Sequence, residues 1–260
     1  MMIVKTAEEV ELLRENALIV SRTLAAVAKE IRPGVQTKTL DKIAEEFIRS
    51  QGAVPGFKGY RGFPATLCVS LNEEVVHGIP GERVLLNGDI VSIDCGCLKN
   101  GYYGDSAYTF TVGDVKPEIR LLLNRTKESL FRAVEVAVTG KRIGDIGSAV
   151  QEYVESFGYS VVRELVGHGI GKALHEKPDI PNYGKRGSGT KLPEGLVICI
   201  EPMINLGLKN VVQASDGWTI RTADRMPSAH FELSVVIRKE KADVLSTFDY
   251  IEEVLGPQQI

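Results

Sequence analysis

The feature that most limits how this chain folds is an internal echo. Gly34, Leu40, Phe47 and Gly52 recur as Gly140, Ile146, Tyr153 and Gly158, each pair separated by 106 residues (140 − 34, 146 − 40, 153 − 47, 158 − 52). Both sets lie in pairs of helix-period stretches. Residues 6–31, with Val10, Leu13, Ala17, Val20 and Leu24, and residues 37–51, with Leu40, Ile43, Ala44, Phe47 and Ile48, flank Pro33-Gly34; residues 117–138 and 143–157 flank Gly140. Strand-like runs follow each pair: GDIVSIDCGCLKNGYYGDSAYTFTV in the first half, GLVICIEPMI and SAHFELSVVIRK in the second. A helix-helix-sheet unit that occurs twice predicts an α+β fold in one domain, residues 1–260, with pseudo-symmetric halves of about 1–115 and 116–260. The helices are expected on one face of a curved, largely antiparallel sheet. The Gly-, Lys- and Ser-rich stretch 183–193 reads as a surface connection.

Composition narrows the class. Apolar residues at 43% and charged residues at 25% suit a soluble globular chain, and the net charge of 31 − 34 = −3 supplies no global basic field for nucleic acid or an anionic membrane. Charges interrupt every apolar stretch of the N-terminal segment, so neither a signal-peptide core nor a membrane span is placed there. Cys68, Cys95, Cys97 and Cys199 lie in apolar runs without CxxC spacing, which suits a reducing cytoplasm; three of the four read as small buried hydrophobes.

In IDCGCLKNGYYGD, residues 93–105, Asn100-Gly101 is the strongest short hairpin signal available. That turn sets Asp105 opposite Gly96, with Asp94 a diagonal neighbour on the same face. Gly96 is expected to leave the space between the carboxylates open. The pair then reads either as metal ligands or as solvated aspartates on an exposed face. The second half adds His168 in GHGIG, Glu201 after the apolar run LVICI, and Glu232 in AHFELS. Glu201 is expensive to bury without a cation or hydrogen-bond partner, and its separation from Asp94 is 201 − 94 = 107, within one residue of the helical offset. Four carboxylates and an imidazole suit manganese, iron(II), cobalt or zinc in a cluster of two divalent ions, and such a pair activates water as a nucleophile. HExxH fails at His175-Glu176, and neither GxSxG nor a phosphate loop occurs.

HGIP at 77–80, IDCGCLKNGYYGD at 93–105, GHGIG at 167–171, IEPMI at 200–204 and DGWTIRTADRMPSAHFE at 216–232 together resemble the type I methionine aminopeptidases over nearly the whole chain. The resemblance implies the duplicated pita-bread fold and removal of the initiator methionine from nascent proteins and peptides, with a small second residue preferred. It implies Asp94, Asp105, His168, Glu201 and Glu232 as metal ligands, with Glu201 also moving the proton from water to the leaving amine. His77 and His175 would touch the substrate, His175 at the oxyanion and His77 at the scissile amide. Tyr60, Phe63, Cys68, Leu174 and Trp218 would line the methionine pocket, Leu174 at a position often aromatic.

The chain departs from that family at His230, where glutamine is usual, and at Leu233, where histidine is usual. Strand alternation sets His230 on the face of Glu232, where it is expected to support the metal ligands, and turns Leu233 away. Two rivals remain: an Xaa-Pro aminopeptidase or prolidase, whose members usually carry an additional N-terminal domain, and a non-catalytic binding member of the fold, against which all five ligands argue. Work near the ribosomal exit tunnel, a monomeric state, and no membrane or sequence-specific nucleic-acid partner complete the expectations.

Overall fold

A computed structural model of the chain describes residues 2–256. Helix α1, Ala7–Ala28, starts where Thr6 caps it: the Glu9 N–H donates to Thr6 Oγ1 at 3.2 Å, and the Thr6 N–H donates back to the Glu9 carboxylate at 2.9 Å. It ends at Ala28, three residues before the expected stretch does, and Gly34 beyond Pro33 adopts φ 93° where the chain turns towards α2, Thr37–Ser50. Helix α3, Pro117–Val136, opens on a proline whose missing N–H is no loss in a first turn. Helix α4 spans Ile143–Glu155, and a short α5, Asp249–Leu255, follows the last strand. The glycines of the echo behave alike: Gly34 and Gly140 take φ 93° and 86°, Gly52 and Gly158 take 68° and 83°.

Every ladder between described strands is antiparallel. The expected sheet is realised as four segments, of four, three, three and five strands. Register shifts occur between His168 and Gly169, inside the five-stranded segment, and between Ile220 and Arg221, inside a three-stranded one. The four-stranded segment holds the hairpin of Ile90–Lys99 and Tyr102–Thr111; the five-stranded one holds Gly167–Gly169, Glu176–Ile180, Val197–Ile200 and Leu233–Val236.

The segments meet along one seam. Glu232 N donates to Ala107 O at 2.9 Å, Ser106 Oγ to Glu232 O at 2.7 Å, Ser234 Oγ to Asp105 O at 2.9 Å, and Thr109 Oγ1 to His230 O at 2.7 Å. A large core, with Tyr108, Phe110 and Phe231 fully buried, fills the space between helices and strands. A second core cluster joins Val10, Leu13 and Ala17 of α1 to Phe57, Phe63 and Cys68. Residues 183–193 do more than connect surfaces. Gly187 N donates to Asp145 Oδ1 at 2.7 Å and Gly144 N donates to Ser188 O at 3.0 Å, so this loop covers the start of α4. Among the described residues no helix is long and apolar enough to cross a membrane.

Candidate metal centre and adjoining pocket

The hairpin pairs as its Asn-Gly turn predicts. Gly96 lies opposite Asp105 and Asp94 opposite Ala107, so the two carboxylates are diagonal neighbours. The space over Gly96 is not open, however. A Cβ there would lie 2.4 Å from the Phe57 ring, so the glycine admits an aromatic wall of the site.

The second half supplies three more groups. His168 sits at the bulge, and its Nδ1 lies 3.0 Å from Gly169 O. With the proton on Nδ1 donated to that carbonyl, Nε2 presents its lone pair to Asp105 Oδ2 at 3.8 Å and Glu201 Oε1 at 3.6 Å. Glu201 leaves the end of the Val197–Ile200 strand just before Pro202, where its carbonyl accepts from Asn182 Nδ2 at 3.0 Å. The seam brings in Glu232. Donor atoms of Asp105, His168, Cys199 and Glu232 all lie within 4.8 Å of one another. Cys199, one of the four cysteines in apolar runs, has its thiol pushed up by burial, 3.4 Å from Ser234 Oγ, and it stays protonated beside the cluster.

Burial and mutual repulsion strain this cluster. Burial pushes the Asp94 carboxyl up to about 6, and it drives Asp105, Glu201 and Glu232 well above the carboxylate range, with neighbouring carboxylates pushing further. Buried Oδ1 of Asp94, Oδ1 of Asp105 and Oε1 of Glu232 have no hydrogen-bond partner. Four desolvated carboxylates, three of them with an orphaned oxygen, and one imidazole lone pair fit divalent cations, which would ionise the acids and occupy those oxygens.

Twelve of the thirteen residues expected at the site line one cleft. His77 stands there with backbone φ 60°, a left-handed conformation costly for histidine, and burial lowers its pKa to about 4. Burial, then the neighbouring His168, lowers His175 to about 3, so both rings are neutral near pH 7. The Tyr60 hydroxyl lies 2.9 Å from His175 Nδ1. Beyond them Phe63 meets Trp218 edge-on at 5.1 Å, Leu174 is buried, and Cys68 pairs directly opposite Asp94, so the apolar wall abuts the carboxylates.

The thirteenth residue, His230, lies outside the cleft wall at 1% exposure. Its Nε2 is 3.6 Å from Glu201 Oε2, and neither ring nitrogen has a hydrogen-bond partner. Leu233 pairs with Ile200 in the core. Sequence reasoning missed Phe57 and Arg61, which also line the cleft. Gly96 was the available signal for Phe57; Arg61, at φ 50° inside an irregular turn, left none.

A profile of metallopeptidase family M24 matches residues 11–239. The methionine aminopeptidase of Clostridium acetobutylicum is 50% identical over 247 residues, covering 95% of this chain and 99% of that protein. The crystal structure of methionine aminopeptidase from Thermotoga maritima superposes with a TM-score of 0.94 at 41% identity, covering 95% of this chain and all of the other. Prolidase from Pyrococcus furiosus superposes at 0.78 and 27% identity, and only 66% of its chain is matched.

Proposed function

The chain belongs to metallopeptidase family M24, and from that membership we propose that it removes the N-terminal methionine from nascent proteins and peptides, preferring a small second residue. Its activity is that of a methionine aminopeptidase, as in relatives matched over nearly their whole length. The observation that carries the reading is the meeting of an apolar pocket with a buried carboxylate cluster, Cys68 standing directly opposite Asp94.

Asp94, Asp105, His168, Glu201 and Glu232 would hold two divalent ions, drawn from manganese, iron(II), cobalt and zinc. When bound, such ions lower the pKa of water and polarise the scissile carbonyl. The protein's own groups do the rest. Glu201, flanked by His168 and His230 at 3.6 Å each, takes the proton that the attacking water loses and delivers it to the leaving amine. His175, its Nδ1 accepting from the Tyr60 hydroxyl, keeps its proton on Nε2 and donates it to the developing oxyanion. His77, also neutral, donates to the scissile amide. Tyr60, Phe63, Cys68, Leu174 and Trp218 receive the thioether, and the Cys68 thiol, held protonated by burial, serves as a soft neutral wall. His230 supports Glu201 from outside the cleft.

The four free, buried cysteines suit a reducing cytoplasm, where a monomer would meet chains emerging from the ribosomal exit tunnel. The test is the metal-stripped protein resupplied with each of the four metals and offered Met-Ala-Ser and an Xaa-Pro peptide. Metal-dependent methionine release with little Xaa-Pro cleavage is expected. Preferential Xaa-Pro cleavage moves the chain to the prolidase branch, and silence with every metal makes it a binding protein.

A further inference from the structure

Between the strands Gly167–Gly169 and Glu176–Ile180 the chain makes an irregular turn that carries two residues of the site, Leu174 and His175. Few bonds of its own shape this turn: Gly171 N donates to Ala173 O at 3.1 Å, and Gly171 O accepts from Tyr103 N at 2.9 Å. Its interior is filled by an ion pair. Lys5 Nζ lies 2.5 Å from Glu176 Oε2, with side-chain exposures of 2% and 8%, and Glu176 Oε1 accepts from Ala173 N at 3.4 Å. The turn is wrapped tightly around it: a Cβ on Gly171 would lie 2.2 Å from Glu176 Oε1 and 2.5 Å from Lys5 Nζ.

The cation comes from a segment outside the site. Lys5 precedes α1, its N–H donates to Gly195 O at 2.9 Å, and Val4 bridges to Leu196. Burying two opposite charges costs so much desolvation that apolar residues of similar volume commonly serve stability as well or better. What an apolar pair does not supply is direction. Glu176 follows His175 immediately and pairs across from Gly169, beside the metal-facing His168.

We infer that the buried Lys5–Glu176 pair positions the active-site turn, with Lys5 acting through Glu176 to hold His175 and Leu174 in register with the carboxylate cluster. Lys5 is a positioning residue and touches no reacting atom. The inference rests on the reading of His175 as an oxyanion donor.

The test is a double-mutant cycle on the metal-loaded, full-length enzyme with Met-Ala-Ser. Lys5→Met removes the charge, Lys5→Arg keeps it, and Lys5→Met/Glu176→Gln removes both charges in case the single variant fails to fold. A displaced donor lowers kcat by roughly 10- to 100-fold in Lys5→Met and in the double variant, with metal affinity unchanged and activity largely rescued in Lys5→Arg. In a His175→Ala background the same changes cost nothing further in kcat, because the donor they position is gone and Leu174, a wall of the methionine pocket, acts on KM. Equal losses in both backgrounds, or full activity in the double variant, would overturn the inference by reducing the pair to a prop of the fold. The 15N resonances of the His175 ring give an independent reading. They shift in Lys5→Met if the pair positions the ring, and stay fixed if it does not. Should His175→Ala alone leave turnover unchanged, the donor role of His175 fails, and the resonances still decide whether Lys5 positions that ring.

Discussion

The proposed mechanism turns on Glu201, among the described residues the one carboxylate with an imidazole within 4 Å on each side, His168 and His230 both at 3.6 Å. Its replacement by glutamine removes the proton carrier while keeping the shape, and kcat for methionine release is expected to fall by about 10²- to 10⁴-fold at saturating metal; retention of turnover within a few-fold would remove Glu201 from the proton path. His230 is proposed to act one step further out, through Glu201. His230→Gln is expected to weaken metal binding about tenfold by calorimetry and to move the pH–rate curve, the size typical for partners that orient metal ligands. Unchanged affinity together with an unchanged curve would leave His230 as core. Single residues were unevenly legible in the sequence. Glu201 stood out as a carboxylate ending an apolar run, and His230 as a departure from a known motif, but their roles came from resemblance. Lys5 and Arg61 carried no signal, because one acts through a partner 171 residues away and the other is set by a turn without periodicity.

At the scale of elements, local chemistry decides how far the sequence can be read. Asn100-Gly101 fixes the hairpin register, which in turn fixes Asp94 and Asp105, so half of the cluster followed from a two-residue turn. The seam that delivers Glu232 to Ala107 rests on bonds between residues more than a hundred positions apart, and no periodicity reports it. The echo of helices did suggest that the halves meet, and it placed Asp94 and Glu201 at matching points. Gly96 belongs to this scale, since its missing side chain admits the ring of Phe57 from a neighbouring loop. Gly96→Ala drives a methyl to within 2.4 Å of that ring. Overpacking of this kind costs about 1–3 kcal/mol, and Phe57 is expected to yield into the cleft. A lower unfolding temperature with a raised KM for Met-Ala-Ser is the expected pair of results; a wild-type KM would show that Phe57 retreats the other way.

For the molecule as a whole, the carboxylate cluster ties stability to metal and to pH. In the metal-free protein the Asp94 carboxyl titrates near 6 against an ordinary value of 3.8, and its three partners are displaced in the same direction. The folded state therefore holds more protons than the unfolded one in that interval, and each such group makes stability fall as pH rises from about 4 towards 6. Bound cations would remove the penalty by ionising the acids. The gap between the unfolding temperatures of metal-loaded and chelator-treated protein is thus expected to widen from pH 4 to pH 6 in calorimetry; a gap independent of pH would mean that the cluster is relieved by something other than metal. We propose that the chain is one domain made of two related halves, residues 1–115 and 116–260. That arrangement bears on when the enzyme first becomes able to work. The hairpin with Asp94 and Asp105 leaves the ribosome early, yet its face stays incomplete until Glu232 arrives and closes the seam. With Glu232 as a proposed metal ligand, a copy synthesised only to a point before that residue is expected to be inert, and a premature stop there to yield a fragment with an unfinished pocket and no stray peptidase.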